Sequence, residues 1–149
     1  VVSCSWVFFA GLLPVSMNAA APNFRTLVTL LSFFSWAFCA SIIPDMRDRE
    51  GDAGAGIRTL PVLLGEERTR DLLYRVNLSC GIVVAVLGFN RLPITFLGIL
   101  VACTAYTHGC IYAYGRMESK DLVSDLLSDG LYLFLSIAVL ALISAHILL

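Results

Sequence analysis

Three aspartates, Asp45, Asp48 and Asp52, stand at the lip of a long apolar run, spaced three and then four residues apart. On a helix each residue turns about 100° and rises about 1.5 Å, so the three lie within about 60° of one another and span about 10 Å of axis. Carboxylates on one face repel each other, and they are rarely kept beside hydrocarbon without a function. The partner that suits them is a divalent cation. One small ion is not easily ligated by both ends of such a row. Mg²⁺ takes one or two carboxylates and completes its shell with water and substrate phosphate. The row therefore suits a metal-bridged diphosphate better than a closed protein cage. The residues that follow are suited to an anion. Gly51, Gly54 and Gly56 can end the helix and let backbone N–H groups approach, and Arg58 could make a bidentate phosphate contact. Spacing alone leaves a second reading open, a solvated charged turn in which Arg47 and Arg49 neutralise the aspartates.

The elements that must position this row are apolar. Of 149 residues, 58% are hydrophobic and 14% charged, with mean hydropathy +0.85. A soluble domain carries roughly 25% charged residues, so the composition is that of a membrane protein. Five apolar segments run at about 1–22, 26–43, 72–89, 92–115 and 131–149, the second ended by Pro44. A bilayer core needs about 20 helical residues, and backbone groups in lipid must be satisfied internally. The expectation is an all-α, multi-pass membrane helix bundle of about five transmembrane helices. Thirteen of the twenty-one charged side chains lie between Asp45 and Arg75. Lys and Arg concentrate on the long polar links, 44–71 and 116–130, with only Arg25 and Arg91 on the short ones. The positive-inside rule then puts the long links, and the aspartates, on the cytoplasmic side. A net charge of −1 gives no case for nucleic acid. The five cysteines sit singly in apolar segments, as small core residues rather than a disulfide or zinc framework.

The run from Pro44 through Asp52, followed by Ala55-Gly56-Ile57-Arg58-Thr59-Leu60-Pro61-Val62-Leu63-Leu64-Gly65, resembles the second aspartate-rich motif of the UbiA-type intramembrane prenyltransferases. The resemblance implies a nine-helix fold of which residues 1–149 cover the C-terminal half. It implies that Mg²⁺, or Mn²⁺, and the diphosphate of a prenyl donor meet at the cytoplasmic face. There the allylic diphosphate ionises and a hydrophobic, lipid-soluble acceptor attacks the carbocation; a quinone precursor, a tetrapyrrole and a glyceryl lipid all remain open. Asp45, Asp48 and Asp52 take the metal and catalytic role, and Arg58 the diphosphate contact. Pro44 stands where Asn or Lys often precedes the first Asp, and Ala53 where a basic residue commonly follows the last. The family's first motif, N-x-x-x-D-x-x-x-D, is absent from the sequence. The expectation is a fragment whose first motif lies upstream of Val1 and which is inactive alone.

A second series, Asp121, Asp125 and Asp129, repeats every four residues on the other long link. The apolar pairs beside it predict an amphipathic interfacial helix whose carboxylates face water, with Asp129 capping the last membrane helix. A charged patch lining the cavity mouth is the alternative. Asp129-Gly130 lacks the Ala-Arg continuation of phosphatidyl-alcohol transferases. His108, deep in the fourth segment, is expected to bond a neighbouring helix or to contact the acceptor. Trp6, Trp36, Tyr106, Tyr112 and Tyr114 are expected to anchor at the interface or pack, or to shield a cation. The competing function is a non-catalytic membrane module or transporter half with an acidic ion-binding loop. Transporter sites usually lie near the bilayer midplane, and this charge lies at the lip.

Overall fold

The computed structural model describes residues 23–127 together with 130, 133, 136 and 137. The expected span at 1–22 lies outside the described residues, as does that at 131–149 apart from 133, 136 and 137. The described residues form helices and contain no strand. Helix α1 is Phe24–Arg47, α2 is Arg49–Gly54, α3 is Leu60–Leu64, α4 is Glu66–Gly88 and α5 is Ile94–Arg116; a π-helical segment follows at Leu122–Leu127. Three of these, α1, α4 and α5, are long and apolar enough to cross a membrane. The protein is an all-α membrane helix bundle.

Asn23 starts α1 by accepting a hydrogen bond from the Thr26 N–H at 3.0 Å, which satisfies one orphan donor of the first turn. The helix does not stop at Pro44, as the sequence predicts. Proline removes one N–H and crowds the preceding turn. Its carbonyl still accepts from the Asp48 N–H at 3.0 Å, and the chain remains helical to Arg47. Asp45 therefore belongs to the membrane helix itself. Helix α4 likewise begins earlier than expected, at Glu66 rather than near residue 72. Its first turns are polar because they stand outside hydrocarbon, and Glu66 and Glu67 face the positive end of the helix dipole.

Two apolar cores hold the helices together. Near the acidic end, Ile43 and Met46 of α1, Leu73 of α4 and Tyr114 of α5 pack with Val123 of the π-helical segment. At the other end, Val28, Val84, Leu97 and Leu100 form the second core. Helices α1 and α5 therefore run in one direction and α4 in the other. Both polar links fall at the same end. Helices α4 and α5 approach closely at Gly81, where a Cβ would stand 2.6 Å from the Thr104 methyl. Membrane helices associate through such small residues. Leu78, Ile82 and Val86 form an exposed stripe on α4, all more than half exposed. Such a stripe is at home in lipid rather than water.

Among the described cysteines none forms a disulfide, and Cys39, Cys103 and Cys110 are buried. Trp36 is 2% exposed and donates its indole N–H to the Thr104 hydroxyl at 3.3 Å, so it is a core residue and not an interface anchor. Tyr114 is buried too. Tyr112 is exposed, with the Arg116 guanidinium 5.5 Å from its ring centre, as an interface residue would be.

Candidate functional site

The acidic row lies where α1 gives way to α2. Asp45 is on the last turn of α1, Asp48 is the residue between the helices, and Asp52 is inside α2. The helix breaks at Asp48, whose ψ of 2° departs from helical, and α2 starts afresh with the Asp52 N–H bonded to the Asp48 carbonyl at 2.9 Å. The three carboxylates therefore stand on both sides of a bend and not on one continuous helix. Asp45 and Asp52 are half-buried and Asp48 is exposed.

The turn after the row has a defined form. The Ile57 N–H bonds the Asp52 carbonyl at 2.8 Å and the Gly56 N–H bonds that of Ala53 at 3.2 Å. This pairing is a Schellman cap, whose residue after the helix must be left-handed. Gly56 has φ 72°, so glycine is required there. The cap turns the chain sharply and leaves Arg58 exposed just beyond Asp52, with no ion pair among the described residues. Pro61 stands second in the short α3, within the first turn, where its missing N–H costs nothing. Gly65, at φ 83° and ψ 163°, then turns the chain into α4.

Arg47 organises the charges around Asp48. Its Nε and Nη2 donate to the two Asp48 carboxylate oxygens at 2.7 and 3.1 Å. The fork holds the Asp48 carboxyl below the usual carboxylate range. Nη1 donates to the Ser124 hydroxyl at 3.0 Å and to an Asp125 carboxylate oxygen. Asp121 lies 3.8 Å from the Arg47 Nε and is mostly exposed. The link carrying the second series is also fixed by Lys120, whose ammonium is 2.9 Å from Glu66 at the start of α4. The segment has the expected amphipathic character, with Val123 and Ser124 buried and Asp121 and Asp125 exposed. It is π-helical, however, and Asp125 faces a guanidinium as well as water. Asp129 lies outside the described residues.

The spacing offers Asp125 as a member of the second series and Arg47 as a neutraliser of the first, but not the contact of Arg47 with Asp125 and Ser124. The available signal is topological. Antiparallel hairpins bring both long links to one end, where the cations of one link meet the carboxylates of the other. Tyr114, expected to anchor, pack or shield a cation, is buried, and its hydroxyl has no hydrogen-bond partner among the described residues. The His108 ring packs at a tilt of 51° against that of Tyr74, with ring centres 4.7 Å apart. It lines a largely apolar groove of about 370 Å³ between α4 and α5, alongside Asn77, Gly81 and Thr104.

The donor set decides what the row can hold. Among the described residues no three carboxylate, imidazole or thiol groups converge as a closed metal cage. An open row of hard oxygen donors fits Mg²⁺ that draws its other ligands from water and phosphate. The residues that would hold it are Asp45, Asp48 and Asp52, and the Asp48 carboxylate would have to be shared with Arg47.

The profile of the UbiA prenyltransferase family matches residues 2–136. Two proteins of Hericium erinaceus are similar. The polyprenyl transferase eriF is 35% identical over 95 residues, covering 62% of this chain and 33% of that protein. The diterpene cyclase eriG is 32% identical over 99 residues, covering 64% and 32%. The chain thus spans about a third of the length of the curated relatives it matches. No solved structure matches it. The family match runs through the acidic row, both polar links and the three described helices able to cross a membrane; the chain belongs to the UbiA prenyltransferase family.

Proposed function

We propose that the complete protein carrying this segment is a Mg²⁺-dependent prenyltransferase that works at the cytoplasmic face of a membrane. The observation that carries this reading is the gathering of Asp45, Asp48 and Asp52 at the end of a membrane helix, followed by a capped turn that leaves Arg58 exposed. Bound Mg²⁺ would supply Lewis-acid stabilisation of charge on the leaving diphosphate. The aspartates hold the metal-bearing end of the donor at the lip, and Arg58 adds a charge-assisted contact to a diphosphate oxygen. The apolar helices leave the isoprenoid tail in a medium without water. The allylic C–O bond breaks, with its electron pair leaving on the diphosphate. A nucleophilic carbon or oxygen of a hydrophobic acceptor then bonds the allylic cation, and any proton it carried is lost to solvent.

The similarity to eriG, named as a diterpene cyclase, favours a second reading. The same ionisation could be followed by attack from a double bond of the donor itself. The two readings share the acidic row and differ only in what captures the cation. Mn²⁺ suits the same oxygen donors. The chain covers only part of its relatives, so either activity belongs to the complete protein.

The test is diphosphate release from a labelled prenyl diphosphate by the complete protein in membranes. Activity that falls to background in a chelator and returns on adding Mg²⁺ is expected. Product analysis with and without added aromatic acceptors separates transfer from cyclisation. Undiminished release in the chelator would overturn the metal-dependent reading. Absence of release across donors would leave a non-catalytic membrane module.

A further inference from the structure

We infer that Asp125 is a positioning residue for the acidic row, acting through Arg47 on Asp48. This rests on the reading of Asp45, Asp48 and Asp52 as the face that meets a metal-bound diphosphate.

The guanidinium of Arg47 is used on two sides. Its Nε and Nη2 fork onto Asp48, and its Nη1 meets Asp125 and Ser124. These partners lie 77 and 78 residues away in the chain, on the link that bears the second acidic series. They are anchored. Ser124 is 2% exposed, and its one hydroxyl proton lies between an Asp125 carboxylate oxygen at 2.9 Å and the Asp121 carbonyl at 3.2 Å. Val123, fully buried, fastens the segment into the core that holds Met46, one residue before Arg47.

An unanchored arginine beside an aspartate would spend its rotamer freedom on many pairings, and holding it in one costs entropy. The Asp125 contact supplies that restraint from outside the row. It also divides the positive charge of Arg47 between two carboxylates. Without Asp125, the whole guanidinium charge falls to Asp48 and competes with a metal for the same oxygens. Both effects act in one direction: removing Asp125 weakens metal capture at Asp48. The partner of a metal-bound carboxylate commonly matters this way.

The experiment uses the complete protein in detergent. It measures the Mg²⁺ concentration that half-saturates retention of radiolabelled inorganic diphosphate, and KM and kcat for a prenyl diphosphate. Asp125→Ala is expected to raise the half-saturating Mg²⁺ about tenfold and to raise KM more than it lowers kcat. Asp125→Glu, which keeps the charge and can reach Arg47, is expected to recover most of the loss. In an Arg47→Ala background, Asp125→Ala is expected to add less than about twofold, because coupled residues are non-additive. Glu118→Ala, an equal charge change on the same link, is expected to leave the Mg²⁺ dependence unchanged. An unchanged half-saturation in Asp125→Ala would overturn the inference. So would an equal shift in Glu118→Ala, or a full additive shift in the Arg47→Ala background. If Asp52→Ala also leaves Mg²⁺-dependent retention intact, the reading of the row itself fails and the inference falls with it.

Discussion

The side-chain amide of Asn77 on α4 donates to the backbone carbonyl of Thr104 on α5 at 3.0 Å, in the middle of two membrane helices. Asn77 is fully buried, and its carbonyl oxygen faces the Ser35 hydroxyl of α1 at 3.5 Å. Trp36 of α1 reaches the Thr104 hydroxyl. Three helices that leaned on apolar contact alone would have little to fix their rotation in lipid, so this polar junction sets their register. Asn77→Ala is expected to destabilise the bundle by about 1 kcal/mol, read as a lower thermal midpoint in detergent. Leu78→Ala, at a mostly exposed neighbouring position, is expected to change it far less. Equal midpoints for Asn77→Ala and the parent would remove the junction from the account.

Close approach at Gly81 gives a second, sharper case. A methyl added there would stand 2.6 Å from Thr104 Cγ2. Thr104 cannot swing aside freely, because its hydroxyl donates to the Leu100 carbonyl at 2.9 Å and accepts from Trp36. Overpacking of this kind costs about 1–3 kcal/mol. Gly81→Ala is expected to lower the thermal midpoint, and adding Thr104→Ser, which deletes the clashing methyl, is expected to restore most of it. A double variant no better than Gly81→Ala would contradict the packing assigned to α4 and α5.

Gly54 and Gly56 look equivalent in the sequence but are not equivalent in the fold. Only Gly56 has a positive φ, and a Cβ at Gly54 would meet nothing within 4 Å. A left-handed alanine costs about 1–2 kcal/mol. Gly56→Ala is therefore expected to loosen the cap and speed trypsin cleavage after Arg58 about fivefold or more. Gly54→Ala is expected to slow it or leave it unchanged. Faster cleavage in both variants would mean that the turn is not the cap described.

The three described membrane helices are legible in the sequence because they follow from a simple length, about twenty apolar residues to cross lipid, whereas the bend at Asp48 that divides the aspartates between two helices is not read from their spacing. Pro44 misleads because the local rule for proline ignores its carbonyl, which still accepts from Asp48 and carries the helix on to Arg47. The start of α4 at Glu66 is hidden because polar residues in a water-facing turn carry no apolar signal. The type of Trp36 leaves anchoring, packing and cation shielding open, and its burial decides for packing, with the indole N–H on Thr104 of another helix. The contact of Arg47 with Asp125 is tertiary, between links far apart in the chain, and no local spacing encodes it.

The central claim is that the row Asp45, Asp48 and Asp52 does chemistry and not merely carries charge. The most direct measurement is the rate of diphosphate release from a labelled prenyl diphosphate by the complete protein, at matched membrane abundance, for Asp48→Ala, Asp52→Ala and Asp71→Ala. Asp71 is an exposed carboxylate on the polar start of α4, outside the row. Losing an electrostatic contact made to a developing charge typically costs about a hundredfold or more. The account predicts that loss for Asp48→Ala and Asp52→Ala, and a rate within about twofold of the parent for Asp71→Ala, as surface substitutions usually allow. Retained release in the two row variants, or an equal fall in all three, would contradict it.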